Sequence, residues 1–268
     1  MRVREELLKI ENGFGSASGV IYEKIIYIVA LEDEIIGEKE WEFTYSPSMG
    51  SSNSEILESL QSVFLGYQLK IKKSSVVENH LKWIEWLKYN FIEYHVKNQK
   101  VLKGIQHGLT TNCLEVQSGL DFLRVKADHN VPSWVLKIKS KLSILIIDYN
   151  GSGSEESINK DIKLIKEKHP YTELYLEQPF NDMSNFKRNE DVNYIFDTKN
   201  IQLLIECSII RENDIVILKL GRNTPDEYCA LRSKGANICF GNVNSGIIGD
   251  RICEKVSENL STLYLKIT

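Results

Sequence analysis

The stretch Tyr175-Leu176-Glu177-Gln178-Pro179-Phe180 decides how the rest of the chain is read, because an apolar run stops there at a carboxylate and proline then turns the backbone. A run of this kind is a strand of a parallel sheet, covered on both faces, and only its end is left to carry chemistry. Two other apolar runs end in a carboxylate at the same interval, Ser143 to Asp148 upstream and Gln202 to Glu206 downstream. Asp148, Glu177 and Glu206 thus follow one another at equal steps along the chain. One strand, one helix and two loops need roughly 30 residues, so the interval is that of successive βα units and predicts three carboxylates at neighbouring strand ends. Two more runs end in a cation, Phe122-Leu123-Arg124-Val125-Lys126 and Ile215-Val216-Ile217-Leu218-Lys219. In a closed parallel barrel the C-terminal strand ends surround one site, which gives the order cation, acid, acid, acid, cation around a single mouth. The expected fold class is α/β, a modified and shortened or incomplete TIM (β/α) barrel.

Length and composition allow such a fold and exclude several others. A chain of 268 residues buries a substantial core. With 42% hydrophobic residues, 26% charged residues and a net charge of −4, it reads as an ordinary globular protein with no electrostatic call for nucleic acid. The basic clusters Lys70-Ile71-Lys72-Lys73 and Lys137 to Lys141 read as solvated faces. Five cysteines without a CxxC pair fit reduced thiols of a cytoplasmic protein. Met1 to Ile10 lacks the apolar centre of a signal peptide, and no apolar run is long enough to span a membrane, so neither export nor a membrane partner is expected.

Residues 6 to 46 read as a small β-rich region, with Gly19 to Ala30 and Glu34 to Tyr45 extended and Leu31-Glu32-Asp33 turning between them. Asn12 to Gly19 carries three glycines and two serines; it is either a plain hairpin connection or a lid over a neighbouring site. Ser54 is placed to cap a helix from Glu55 to about Phe64, a second helix is expected over Val77 to Val96, and a third over Val101 to Leu109. His80, His95 and His107 have no partners at metal-ligand spacing. After Gly119 strands alternate with helical stretches at Glu155 to Lys168, Asp182 to Tyr194 and Pro225 to Lys234. Then come the apolar run Asn237 to Phe240, a Gly- and Ser-bearing turn from Gly241 to Gly249 and a last helix around Asp250 to Leu260.

Three carboxylates at one site cannot all stay ionised and unpaired in a low dielectric, so something positive must sit among them. A hard divalent cation such as Mg²⁺ suits oxygen ligands, and the absence of His and Cys from those strand ends disfavours zinc. For any one acid, helix capping is the simpler account; the equal spacing of three favours metal. A lysine near a metal and another cation loses its proton more easily and can serve as a general base, and Arg124 lies on the same side of its strand as Lys126. Removal of a proton α to a carboxylate is the chemistry suited to this arrangement.

The order Arg124-x-Lys126, Asp148-x-Asn150, Glu177-Gln178-Pro179, Glu206-x-Ser208 and Lys219 resembles the enolase superfamily in its muconate-lactonizing branch, where Lys-x-Lys, Asp-x-Asn, Glu-x-Pro, Asp-Glu-Ser and Lys end consecutive barrel strands. Residues 1–115 are similar to that family's α+β capping domain, with Ile36-Gly37-Glu38 resembling its Gly-x-Gly-Glu strand end, and 116–268 to its barrel. The resemblance implies Mg²⁺, with Mn²⁺ as an alternative, held by Asp148, Glu177 and Glu206. It implies Lys126 as base, Lys219 opposite it and Arg124 beside them. It also implies Ser16 on the loop, Asn150, Asn242, Ser245 and Gly246 as groups that bind a small-molecule carboxylate substrate. Arg124 stands where the motif has lysine, and Glu206 where it has aspartate. The short step from Glu206 to Lys219 leaves no room for the usual helix, so the barrel is expected to be pared down there.

Small, divergent members of this branch include o-succinylbenzoate synthases of menaquinone synthesis, which implies a Mg²⁺-dependent dehydratase. The alternatives are an N-acylamino acid racemase or dipeptide epimerase of the same superfamily, using both lysines, and a non-catalytic binding module descended from it.

Overall fold

In the computed structural model the described residues are 3–16, 19–34, 37–43, 50–90, 105–107, 122–139, 141–181, 186–207, 209–241, 253–255 and 265–267. The chain starts with an antiparallel sheet of β1 (Val3–Ser16), β2 (Gly19–Asp33) and β3 (Gly37–Phe43), in that order. Within the glycine-rich stretch Asn12 to Gly19, the described residues belong to the β1–β2 ladder, with Ser16 paired to Gly19 and a register shift between Lys9 and Phe14. The turn expected at Leu31 to Asp33 is instead the end of β2, whose ladder with β3 runs as far as Asp33 and Gly37.

Helices α1 (Asn53–Leu65) and α2 (Ser75–Tyr89) cover this sheet. Ser52, rather than the expected Ser54, caps α1 in a reciprocal capping box with Glu55, and Gly66 at φ 74° closes it. Val76, Val77, Trp83, Ile84 and Leu87 are buried along one side of α2, while 91–96 of the helix expected as far as Val96 lie outside the described residues. His80 is a packed histidine, accepting from the Trp41 indole at 3.1 Å.

The larger sheet has the order β11-β12-β10-β9-β8-β7-β6-β5-β4. Its parallel part comprises β4 (Ile105–His107), β5 (Phe122–Lys126), β6 (Ile144–Asp148), β7 (Glu173–Glu177), β8 (Asn193–Phe196), β9 (Ile215–Leu218) and β10 (Asn237–Phe240). The short strands β12 (Leu265–Ile267) and β11 (Cys253–Lys255) add antiparallel pairs beyond β10. Residues 105–107 form a strand in place of the expected helix, so the barrel sheet begins ahead of residue 116. The last helix expected around Asp250 to Leu260 falls mostly outside the described residues, and its Cys253–Lys255 portion is strand.

Alternation along these strands separates two apolar layers. Ile144, Ile146, Tyr175, Ile195, Ile215, Ile217 and Cys239 form an inner cluster. Leu145, Ile147, Leu174, Leu176, Tyr194, Phe196, Val216, Leu218, Ile238 and Phe240 face the opposite way and join the core under the helices. Burial on both faces is why the strands read as unbroken apolar runs.

Helix α3 (Glu155–Lys168) matches its expected bounds. Ser154 caps it, acidic Glu155 and Glu156 start it and Lys166 and Lys168 end it, which complements the helix dipole. Ile158, Ile162 and Ile165 turn onto the sheet.

Two expectations fail in the next segment. Asn193–Phe196, expected at the end of a helix and beyond it, is strand β8, and Ile201–Cys207, expected as a strand, is helix α4. Ile201 and Leu204 are buried one helical turn apart, and the Asn200 side chain accepts from Leu203 N at 3.2 Å, a cap that starts a helix. A short apolar run does not distinguish strand from helix by period alone. Helix α5 (Pro225–Ser233) follows β9 with Thr224 as cap, Pro225 in its first turn and a capping box with Glu227. Among the described residues, no helix is long and apolar enough to cross a membrane.

Candidate active site

Charged side chains gather at the C-terminal ends of β5 to β9. The register places Lys126 beside Asp148 and Asp148 beside Glu177. The next ladder pairs Glu177 with Ile195, so the inward residue that completes the rim on β8 lies just beyond the strand, at Asp197. Lys219 follows β9, and on β10 the matching position is Gly241, where an added Cβ would come within 2.8 Å of Ile217 and 3.7 Å of Lys219. Glycine leaves the space beside Lys219 open.

The structure thus brings together Arg124, Lys126, Asp148, Asn150, Glu177 and Lys219 of the residues expected at the site. Glu206 is not brought there: it is exposed on α4, bonded to Gln202. The third carboxylate is Asp197, and its legible signal was the β-branched and aromatic run Val192-Asn193-Tyr194-Ile195-Phe196 that it terminates. Moving the acid from 206 to 197 also removes the short step, since the segment from Asp197 to Lys219 is long enough to hold α4. Ser16 ends β1, with its side chain outside the description. Asn242, Ser245 and Gly246 lie outside the described residues.

Arg124 points its guanidinium at two acids. Its Nε donates to Glu177 Oε2 at 2.7 Å, and one terminal nitrogen reaches both Glu177 Oε1 at 2.5 Å and Asp148 Oδ2 at 2.7 Å. Lys126 donates to the same Asp148 oxygen and, at 3.0 Å, to Asn150 Oδ1. Asn150 adopts φ 48°, and its backbone N–H donates to Asp148 Oδ1 at 3.0 Å. The turn after Asp148 therefore folds back to hold both the carboxylate and the ammonium.

On the other side, Lys219 donates to Asp197 Oδ2 at 2.6 Å and Arg222 to Oδ1 at 2.8 Å. Sequence reasoning missed Arg222, because it lies in the loop beyond its strand rather than at the strand end. It is anchored by a bond to Ile217 O at 3.2 Å, and Asn79 of α2 donates to the carbonyls of Gly221 and Arg222.

Burial governs the electrostatics. It raises the Glu177 carboxyl above its usual range, with Arg124 opposing. At Asp197 burial also pushes upward, but Lys219 and Arg222 together overcome it and hold the carboxyl well below the ordinary value. Lys219 is pulled below the usual lysine value by burial, against Asp197 and with help from Arg222. The Asp197 and Lys219 shifts favour opposite fates for the pair. The consistent account is an ionised Asp197 kept so by Arg222, which cannot titrate, beside a lysine free to lose its proton.

Two buried carboxylates, Asp148 and Glu177, and the part-buried Asp197 beyond the next strand are the hard oxygen donors that Mg²⁺ takes. Among the described residues, no three His, Cys, Asp or Glu side chains are disposed around an ion as they stand. Their oxygens are engaged by Arg124, Lys126, Lys219 and Arg222, and each ionised carboxylate keeps further lone pairs. The donor set fits the ion in kind, although its oxygens are committed to Arg124, Lys126, Lys219 and Arg222 as the structure stands.

No protein-family profile matches the chain, and no curated protein sequence does. Solved structures do. A dipeptide epimerase from Enterococcus faecalis, complexed with Mg and L-Leu-L-Tyr, superposes with TM-score 0.63 at 16% identity, covering 89% of this chain and 80% of that one. The o-succinylbenzoate synthase of Thermosynechococcus elongatus, complexed with Mg, gives 0.56 at 16% identity over 89% and 83%. The L-Ala-D/L-Glu epimerase of Bacillus subtilis gives 0.60 at 12% identity over 90% and 81%. These likenesses show the fold: an N-terminal cap beside an incomplete, TIM-like barrel, as in those structures.

Proposed function

We propose that this protein removes the proton α to the carboxylate of a small-molecule substrate, with Mg²⁺, or Mn²⁺ in its place, held by Asp148, Glu177 and Asp197. One observation carries the reading: Asp148 is shared by Lys126 and Arg124, and Asp197 by Lys219 and Arg222. Because arginine keeps its charge, each lysine can give up its proton while its carboxylate stays paired. Two lysines on opposite sides of the mouth are thereby made competent as bases. The metal, when bound, supplies positive charge to the substrate's carboxylate as the proton leaves. Asn150 fixes the Lys126 ammonium from a second side and so aims it.

The net reaction we assign is an o-succinylbenzoate synthase-like dehydration, a step of menaquinone synthesis in the cytoplasm. Its support is the Asp148-x-Asn150 and Glu177-Gln178-Pro179 motifs together with the fold shared with such a synthase. Loss of water needs only Lys126 to cycle, with Lys219 as a fixed charge. A second reading, epimerisation of a dipeptide or N-acylamino acid, is favoured by the matched lysine pairs, since inversion needs a base on each face of the α-carbon. The deciding experiment follows α-proton exchange and water release together in D₂O, with the o-succinylbenzoate precursor and with a panel of dipeptides. Water release that survives Lys219→Ala supports the dehydratase, and exchange with inversion that requires both lysines supports the epimerase. No exchange with either substrate class overturns the proton-abstraction reading.

A further inference from the structure

We infer that Arg124 competes with the divalent cation for its ligands, so that metal binds only by drawing Glu177 and Asp148 away from the guanidinium. This rests on the metal reading of the site. Arg124 grips Glu177 side-on, engaging both carboxylate oxygens at 2.7 and 2.5 Å, and also engages Asp148 Oδ2 at 2.7 Å, which takes Lys126 as well. A side-on fork uses the lone pairs that a metal would use first on Glu177. The arginine is 4% exposed, so water replaces it poorly as a partner.

Charge balance points the same way. Four cations, Arg124, Lys126, Lys219 and Arg222, surround three acids, Asp148, Glu177 and Asp197, so the acids are compensated without a divalent ion. Adding one brings unbalanced positive charge into a buried site. A lysine at position 124 would be a compact point charge, unable to bridge both carboxylates in one plane. The arginine therefore gives a site that is rigid without metal and weak for it.

Calorimetric titration of MgCl₂ into the full chain, for the unaltered protein, Arg124→Met and Arg124→Lys, tests this. Arg124→Met should bind Mg²⁺ about ten- to a hundredfold more tightly, the worth of one charge-assisted hydrogen bond the ion need no longer break. Its melting temperature should fall in chelator and recover with Mg²⁺, while that of the unaltered protein shifts by less between the two at the same Mg²⁺ concentration. Should Arg124→Met fail to fold, Arg124→Lys carries the comparison with tighter binding in the same direction. Equal or weaker binding in both variants, with the unaltered protein binding normally, overturns the inference alone. Absence of Mg²⁺ binding in all three overturns the metal reading and the inference with it.

Discussion

Lys219 and Asp197 form an ion pair of 2.6 Å that joins the ends of β9 and β8, and it closes the arc of charged strand ends that begins at Lys126. The pair sets apart the two candidates for the third ligand. Asp197→Asn should weaken Mg²⁺ binding by about tenfold to a hundredfold or more and abolish proton exchange. Glu206→Gln, on the exposed face of α4, should leave both unchanged. Calorimetry on the two variants checks this, and loss of metal in the second would return Glu206 to the site.

The lysines give a second prediction. Lys126→Ala should slow α-proton exchange by about 10²- to 10⁴-fold while Mg²⁺ still binds, because the change leaves all three carboxylates in place and removes one cation from Asp148. Exchange rates by NMR in D₂O, with a parallel metal titration, separate loss of a base from loss of the site. Unimpaired exchange in this variant would remove Lys126 from the chemistry.

Much of this site was legible because a buried parallel strand writes itself as an apolar run with a charge at its end. β5, β6, β7 and β9 were all placed that way, and with them Arg124, Lys126, Asp148, Glu177 and Lys219, while β10 was placed by its apolar run alone. The failure at Glu206 has a physical origin. The step from Asp148 to Glu177 spans a full βα unit that includes all of α3, whereas the next unit, from Glu177 to Asp197, is shorter and holds no helix among the described residues. A fixed period skipped that strand and landed on Leu203-Leu204-Ile205, apolar for the sake of helix packing. Arg222 escaped because its position depends on a loop folding back to Ile217 and on contacts with α2, which no local pattern encodes.

The Asp197 pair makes stability depend on pH at the acid end. Its carboxyl lies well below the ordinary value when folded, through Lys219 and Arg222, and at about 3.9 when unfolded. An acid with a depressed folded value contributes stability that is complete above the unfolded value and is lost as pH falls below it. The difference in melting temperature between the unaltered protein and Asp197→Asn should therefore be constant from about pH 7 to about pH 5 and shrink below about pH 4. Melts across that range, scanned by circular dichroism, measure it. A difference that grows towards acid would contradict the pairing.

The last prediction concerns how the N-terminal region holds the loop that carries Arg222. Trp83 of α2 is fully buried, donates from its indole to Asn223 O at 2.7 Å and packs edge-on against Phe240 and Tyr228 at ring separations of 5.3 and 5.9 Å. The Asn223 side chain in turn accepts from the Lys219 backbone N–H at 2.9 Å. Trp83→Phe keeps an aromatic ring but leaves the Asn223 carbonyl without its donor, a loss of about 1–3 kcal/mol. At roughly 2–4 °C per kcal/mol for a chain of this size, the melting temperature should drop by about 2–12 °C. Because the freed carbonyl belongs to the residue next to Arg222, reactions that depend on Lys219 should slow more than those that depend on Lys126 alone. Comparing the two rates in Trp83→Phe against Leu87→Ala, which opens the buried face of α2 one turn beyond Trp83, distinguishes a positioning effect from a general loss of stability. An equal fall in both rates in both variants would reduce Trp83 to a packing residue.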